Sequence, residues 1–186
     1  MTLKGKNEII IESTANGKKT KNIVFSKKSY ELFLKHGESL KSFSSKEKAE
    51  EFFFSLKDYL IKELESLCLK YNLFNMDYTI ESIKNIEKVY FDLYEKSEFK
   101  KIGISREEFE DALGIYWGEC AIRYDSLRHW VVEENWLVHG KYELYLEDRF
   151  GNKISYKYFD NLFKYPDNKT HKRMFREFKK MVMDLQ

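Results

Sequence analysis

Few side chains in this 186-residue chain are of types that carry chemistry: four histidines and two cysteines. His36, His129, His139 and His171 are dispersed. None has the HxxxH or HExxH spacing that sets two imidazoles on one helix face for a metal ion. No metal site and no cofactor are expected. Cys120 with His129 or His139 would make a thiol–imidazole pair, but Cys120 shares a helical face with Leu113 and Trp117, where core packing is the simpler reading. Cys68 has similar apolar surroundings, and both thiols read as buried and free, as in a reducing cytosol. No serine sits in a GxSxG elbow, and no GxxxxGK[ST] or GxGxxG phosphate loop occurs. The expectation is that the protein is not an enzyme.

Carboxylates are more numerous. Glu107, Glu108, Glu110, Asp111 and Glu119 crowd onto one helical segment, and paired carboxylates can do acid–base work when one is desolvated. Four of the five lie in or near the first turns, where acids favour the positive helix end. Glu119 is mid-helix beside Gly118, which shares a face with Gly114 four residues earlier, so another backbone or ring can approach closely there. A partly buried Glu119 needs a partner, for which Arg123 is the candidate, and its expected role is structural. At the chain's end Lys169, Lys172, Arg173, Arg176, Lys179 and Lys180 could hold phosphates. The interleaved Met174, Phe178 and Met181 form an inward helix face, which leaves those cations as solvent-facing residues.

The elements that position these residues follow from composition and periodicity. Hydrophobic residues make up 42% and charged residues 34%, with 17% aromatic, a globular rather than disordered profile. The longest apolar runs, Ile9–Ile11 and Phe52–Phe54, are far below signal-peptide or bilayer length, so a cytoplasmic protein with no membrane segment is expected. Net charge is +2, unevenly spread: +5 over residues 1–43, −2 over 44–104, −7 over 105–148 and +6 over 149–186.

Glu8–Glu12 and Asn22–Phe25 read as a β-hairpin turned at Asn16-Gly17. A short helix from Lys28 to His36 is ended by Gly37. A capping box at Ser44/Glu47 opens a long helix to Tyr71 with Phe53, Leu56, Leu60, Leu64, Leu67 and Tyr71 on its apolar stripe. A second long helix runs from Tyr78 to Lys96 behind Asp77 as N-cap, and a third follows the capping box Ser105/Glu108. Period two then takes over. Trp130–Glu133, Trp136–Val138, Tyr142–Leu146 and Lys153–Tyr156 read as strands, with turns at His139-Gly140 and Asp148–Asn152. Helices near Tyr158–Lys164 and from Lys169 to Met183 flank Pro166. This predicts an α+β fold: an N-terminal β-hairpin, a bundle of three main helices, an antiparallel meander of 3–4 strands, and C-terminal helices. One domain over 1–186 is expected, with 1–43 as an N-terminal appendage and 44–186 as the main body.

The run Ala112-Leu113-Gly114-Ile115-Tyr116-Trp117-Gly118-Glu119, followed by Trp130 or Trp136, Tyr142-Glu143-Leu144, Gly151 and Phe159-Asp160-Asn161-Leu162-Phe163, resembles a loose group of small bacterial domains. In these an aromatic-x-Gly-Glu helix precedes a Trp-containing meander, and some are immunity proteins of polymorphic or contact-dependent toxin systems. The group's proline after the last strand is replaced here by Ser155-Tyr156. The resemblance implies a cytosolic stoichiometric binder of a cognate protein toxin. The acidic block would supply steering charges at Glu107, Glu108, Glu110, Asp111, Glu133 and Glu134, and Trp117, Trp130 or Trp136 an aromatic anchor. The alternative is a nucleic-acid-associated or phage-type accessory protein that binds through the basic N- and C-terminal segments.

Overall fold

The computed structural model describes residues 2–3, 8–15, 18–159 and 172–183, with side chains over 26–159 and 172–181. The fold is α+β, as the periodicity predicts. The chain divides into two compact units, Met1–Lys46 with Glu134–Glu143, and Glu47–Glu133 with Leu144–Gln186.

In the first unit β1 (Thr2–Leu3), β2 (Glu8–Ala15) and β3 (Lys18–Ser26) form an antiparallel sheet in that order. The backbone register sets Ile10 opposite Val24 and Ile11 opposite Ile23. The Asn16-Gly17 turn lies outside the described residues. Helix α1 (Lys27–Ser39) starts behind Ser26, whose hydroxyl accepts from the Ser29 N–H at 3.1 Å. It does not end at Gly37. That glycine is a buried helical residue, because a Cβ there would stand 2.7 Å from Asn135 Oδ1 and 2.9 Å from Val138 Cγ2.

Strand β4 (Lys41–Ser42) pairs antiparallel with the start of β6 (Lys141–Glu147). Trp136–Val138, expected as a strand, is a loop. Asn135 Oδ1 accepts the N–H groups of Leu137 at 2.9 Å and Val138 at 3.0 Å, which curls the backbone away from a ladder.

The second unit holds α2 (Lys46–Tyr71, here from Glu47), α3 (Ile80–Glu95), a 3₁₀ turn (Phe99–Ile102), α4 (Arg106–Tyr124) and α5 (Arg173–Met183). With them are β5 (His129–Glu134, to Glu133), the second half of β6, and β7 (Lys153–Ser155). β4, β6 and β5 are neighbours in that order, and β7 also pairs with β6. The core is built on Leu60, Leu64, Ile83, Ile86, Tyr90, Phe109, Leu113, Tyr116 and Phe178, all at 2% exposure or less. Helix α4 is buried along most of its middle, from Phe109 to Ala121, with only Asp111 and Glu119 half-buried there.

Several boundaries differ from the sequence reading. Helix α2 opens at Lys46, so Ser45 rather than Ser44 precedes it, and Tyr71 is exposed rather than on the buried stripe. The N-cap of α3 is Thr79, whose Oγ1 accepts from the Ser82 N–H at 3.2 Å. Asp77 instead accepts from Thr79, holding the cap residue in place. Tyr158 and Phe159 lie in a turn, and the rest of the helix expected near 158–164 lies outside the described residues, as does Lys169.

The Ser105/Glu108 box forms as expected. Ser105 Oγ accepts from the Glu108 N–H at 3.1 Å, and Glu108 Oε2 accepts from the Ser105 N–H at 3.1 Å and its hydroxyl at 2.6 Å. These bonds hold the Glu108 carboxyl below its ordinary range. A lowered carboxylate contributes stability above its ordinary pKa, and that contribution is lost as the pH falls through the folded value. Ser105→Ala is therefore expected to cost about 1 kcal/mol at neutral pH. Thermal melts should show a smaller deficit below about pH 4, where glutamate protonates.

Candidate functional site

The aromatic-x-Gly-Glu signature sits in the middle of α4 and is packed from two sides. A Cβ on Gly114 would overlap the carbonyl oxygen of Tyr156 and stand 2.9 Å from its carbonyl carbon. A Cβ on Gly118 would overlap the ring of Trp130. The next residue then holds that ring in register, since Glu119 Oε1 accepts from Trp130 Nε1 at 2.9 Å. Lys57 on α2 donates to the same oxygen at 3.3 Å and to Asp58 at 2.9 Å. Burial alone would lower the Lys57 ammonium, but Asp58 and Glu119 outweigh it and leave its pKa raised. The sequence candidate Arg123 is not the partner of Glu119. Its guanidinium stacks on Tyr78, 3.7 Å from the ring centroid.

The seven residues expected to form a docking surface have varied surroundings. Glu110 is 6% exposed and accepts from Tyr90 Oη and Arg106 Nε, both at 2.6 Å, so it cannot steer a partner. Asp111 is half-buried and lies 3.3 Å from Lys157; burial raises its pKa against the pull of that ammonium. Glu108 closes the capping box, and Glu133 pairs with Lys153 at 3.1 Å. Glu134 pairs with His139 at 2.5 Å and accepts from the Gly140 N–H at 2.6 Å. Glu107 is exposed, and Trp136 is 52% exposed. Glu134 and Trp136 belong to the first unit and the other five to the second. Of the other two tryptophans, Trp117 is 3% exposed between Phe159 and Phe178, and Trp130 is the half-buried ring just described.

On α5, Met174 and Phe178 are buried, Arg176, Lys179 and Lys180 are exposed and Arg173 is half-buried; Lys172, just before the helix, is exposed. Its first turn is capped from α3 by Glu87, 2% exposed, which accepts from the N–H groups of Met174 at 2.9 Å and Phe175 at 3.1 Å. Burial raises the Glu87 carboxyl even though these donors oppose the shift.

Cys68 and Cys120 are buried free thiols, each pushed up to about 12 by burial, so neither is a thiolate near neutral pH. His36 pairs with the buried Glu143 at 3.0 Å and His129 with Glu147 at 3.6 Å. No cluster of three or more His, Cys, Asp or Glu side chains is placed to hold a metal ion among the described residues. None of the described helices is long and apolar enough to cross a membrane.

An open cleft of about 430 Å³ lies where α2 ends. One wall is a helical face at i, i+3 and i+4, Glu65, Cys68 and Leu69, continued by Asn72 just past the helix end. Asn72 adopts φ +49°, and the Leu73 N–H reaches back to the Cys68 carbonyl at 3.2 Å, a Schellman closure that reverses the chain. The opposite wall is the extended segment that follows, through Phe74, Asn75 and Met76. Tyr116 of α4 pins that segment from below. Its ring packs on Phe74 and Tyr78, and its hydroxyl accepts from the Tyr78 N–H at 3.1 Å while donating to Ser82 Oγ. Tyr78 is held at φ +60°, uncommon for a bulky residue, and its hydroxyl donates to Glu65 Oε1 at 3.4 Å.

Leu69, 85% exposed, stands at the rim. The sequence reading passed over this cleft. The available signal was an apolar residue out of phase with the α2 stripe, together with the Asn72 and Asn75 pair that breaks the helix.

The family model described as "Uncharacterised protein YwmA" matches residues 42–182, which takes in α2 to α5 and most of the second sheet. The chain is also similar to "Uncharacterized protein YwmA" of Bacillus subtilis (strain 168), 29% identical over 109 residues, covering 59% of this chain and 69% of that protein. No solved structure matches. The family carries no enzyme name, and the bacterial relative agrees with the small bacterial domain that the signature helix implies. With the greater part of its length matched, from β4 to the last turn of α5, the chain belongs to the YwmA family.

Proposed function

We propose that the protein acts by stoichiometric binding of another protein, not by catalysis. The cleft beside the end of α2 carries this reading. It is walled by rigid, capped elements and rimmed by Leu69 at 85% exposure, an apolar side chain with no role in the core. The finer reading is neutralisation of a bacterial toxin, in line with the resemblance of the α4 signature to immunity proteins. Acidic steering does not support it well, because most of the carboxylates concerned have partners within the chain.

The test is affinity capture of the tagged protein from its native host at moderate salt with nuclease added. A stoichiometric protein partner that is retained by the wild type and lost by Leu69→Asp is the expected result. That substitution is at an exposed position and should change stability by no more than about 0.5 kcal/mol. For the finer reading, the neighbouring gene product should be toxic alone and harmless when co-expressed. The exposed cations of α5 favour a second reading, association with nucleic acid. In a parallel capture at low salt without nuclease, recovery of nucleic acid that is released by salt and lost in Lys179→Glu/Lys180→Glu would replace the protein-binding proposal.

A further inference from the structure

We propose that the cleft at the end of α2 receives the alkyl-guanidinium of an arginine side chain from the partner protein, with the Glu65 carboxylate as its counter-ion. This rests on the protein-binding reading and adds the chemistry the partner must present.

The lining is mixed in a specific way. Glu65 is the one ionisable acid or base among the lining residues other than the buried Cys68, whose thiol is neutral. Leu69, Phe74 and Met76 supply apolar surface, and Asn72 and Asn75 supply amide oxygens able to accept hydrogen bonds. An alkyl-guanidinium matches that combination. Its methylene stem can lie on the apolar wall, its planar head can face a ring, and its N–H groups can be shared between a carboxylate and amide oxygens.

A simple anion would meet Glu65 with like charge. A purely apolar group would desolvate that carboxylate without a partner. Glu65 is also oriented beforehand, because the Tyr78 hydroxyl donates to it from a residue clamped by Tyr116 and Arg123. The chain already shows the same chemistry nearby, with Arg123 lying on the Tyr78 ring.

The experiment is a titration of the ¹⁵N-labelled full-length protein with n-butylguanidinium, with n-butanol and butyrate as controls at matched ionic strength. Saturable amide shifts confined to residues 65–78 are expected from the cation and not from the controls. Glu65→Gln should weaken binding about tenfold while the rest of the spectrum is unchanged. Equal shifts from butanol, no saturation, or unchanged affinity in Glu65→Gln would overturn the assignment.

The source of the cation is decided by affinity capture with the same variant. Loss of the captured partner in Glu65→Gln supports a partner's arginine. A partner that is lost in Leu69→Asp and still held by Glu65→Gln overturns the arginine site while the protein-binding reading stands. Glu65-dependent binding of n-butylguanidinium with no protein captured overturns the partner and assigns the cleft to a free small cation.

Discussion

Gly114→Ala should lower stability by about 3 kcal/mol, although alanine is the better helix former by about 1 kcal/mol. The added methyl has nowhere to go. It would overlap the Tyr156 carbonyl oxygen, and a backbone group cannot rotate away as a side-chain tip can. For a chain of this length the loss corresponds to a fall in Tm of about 6–12 °C. Gly118→Ala should fall between Gly114→Ala and wild type, because its clash is with the outer edge of the Trp130 ring, which can tilt if its bond to Glu119 lengthens. The check is thermal denaturation of both variants followed by circular dichroism. A Tm at or above wild type for Gly114→Ala would mean that α4 and the segment at Tyr156 do not pack as described.

The second large effect is expected at Glu87. Glu87→Ala removes the acceptor for two backbone N–H groups at the start of α5 and leaves them orphaned at a buried site, a cost of about 3 kcal/mol. Glu87→Gln keeps one carbonyl acceptor and should cost about 1 kcal/mol. The pH dependence has a definite sign. Because burial raises the carboxyl in the folded state, its contribution is fully present below the ordinary glutamate pKa and is lost as the pH rises through the folded value. The Tm gap between wild type and Glu87→Ala should therefore be wider near pH 5 than near pH 8. A gap that widens with rising pH would contradict a buried, raised carboxyl. Hydrogen exchange of the Met174 and Phe175 amides gives an independent local readout, since both should lose protection in the alanine variant.

These two sites also separate what was legible in the chain from what was not. The helices α2, α3 and α4 are readable because their apolar residues recur every three to four positions and because Ser105 and Glu108 can satisfy each other without tertiary help. The strands β5, β6 and β7 announce themselves by period two. Errors fall where a side chain competes with the backbone locally. Asn135 turns Trp136–Val138 out of a strand, and Thr79 displaces Asp77 as cap. Gly37, expected as a helix stop, is instead a place where Asn135 and Val138 come close.

The site residues depend on distance in space, which periodicity does not encode. Glu110 looks like its exposed neighbours Glu107 and Glu108, yet it is buried because Tyr90 and Arg106 converge on it. Arg123 is one turn from Glu119 and so looks like its partner, while the actual donors are Trp130, on a strand, and Lys57, 62 residues away. Glu87 is an unremarkable acid on α3 until α5 places two N–H groups against it. The sequence alone determined the class, the order of the main helices and strands and most of the apolar buried faces, since local propensity and hydrophobic spacing act over a few residues. Only the tertiary structure decided which charges are spent inside the chain and which cleft stays open, because each pairing joins residues far apart in sequence.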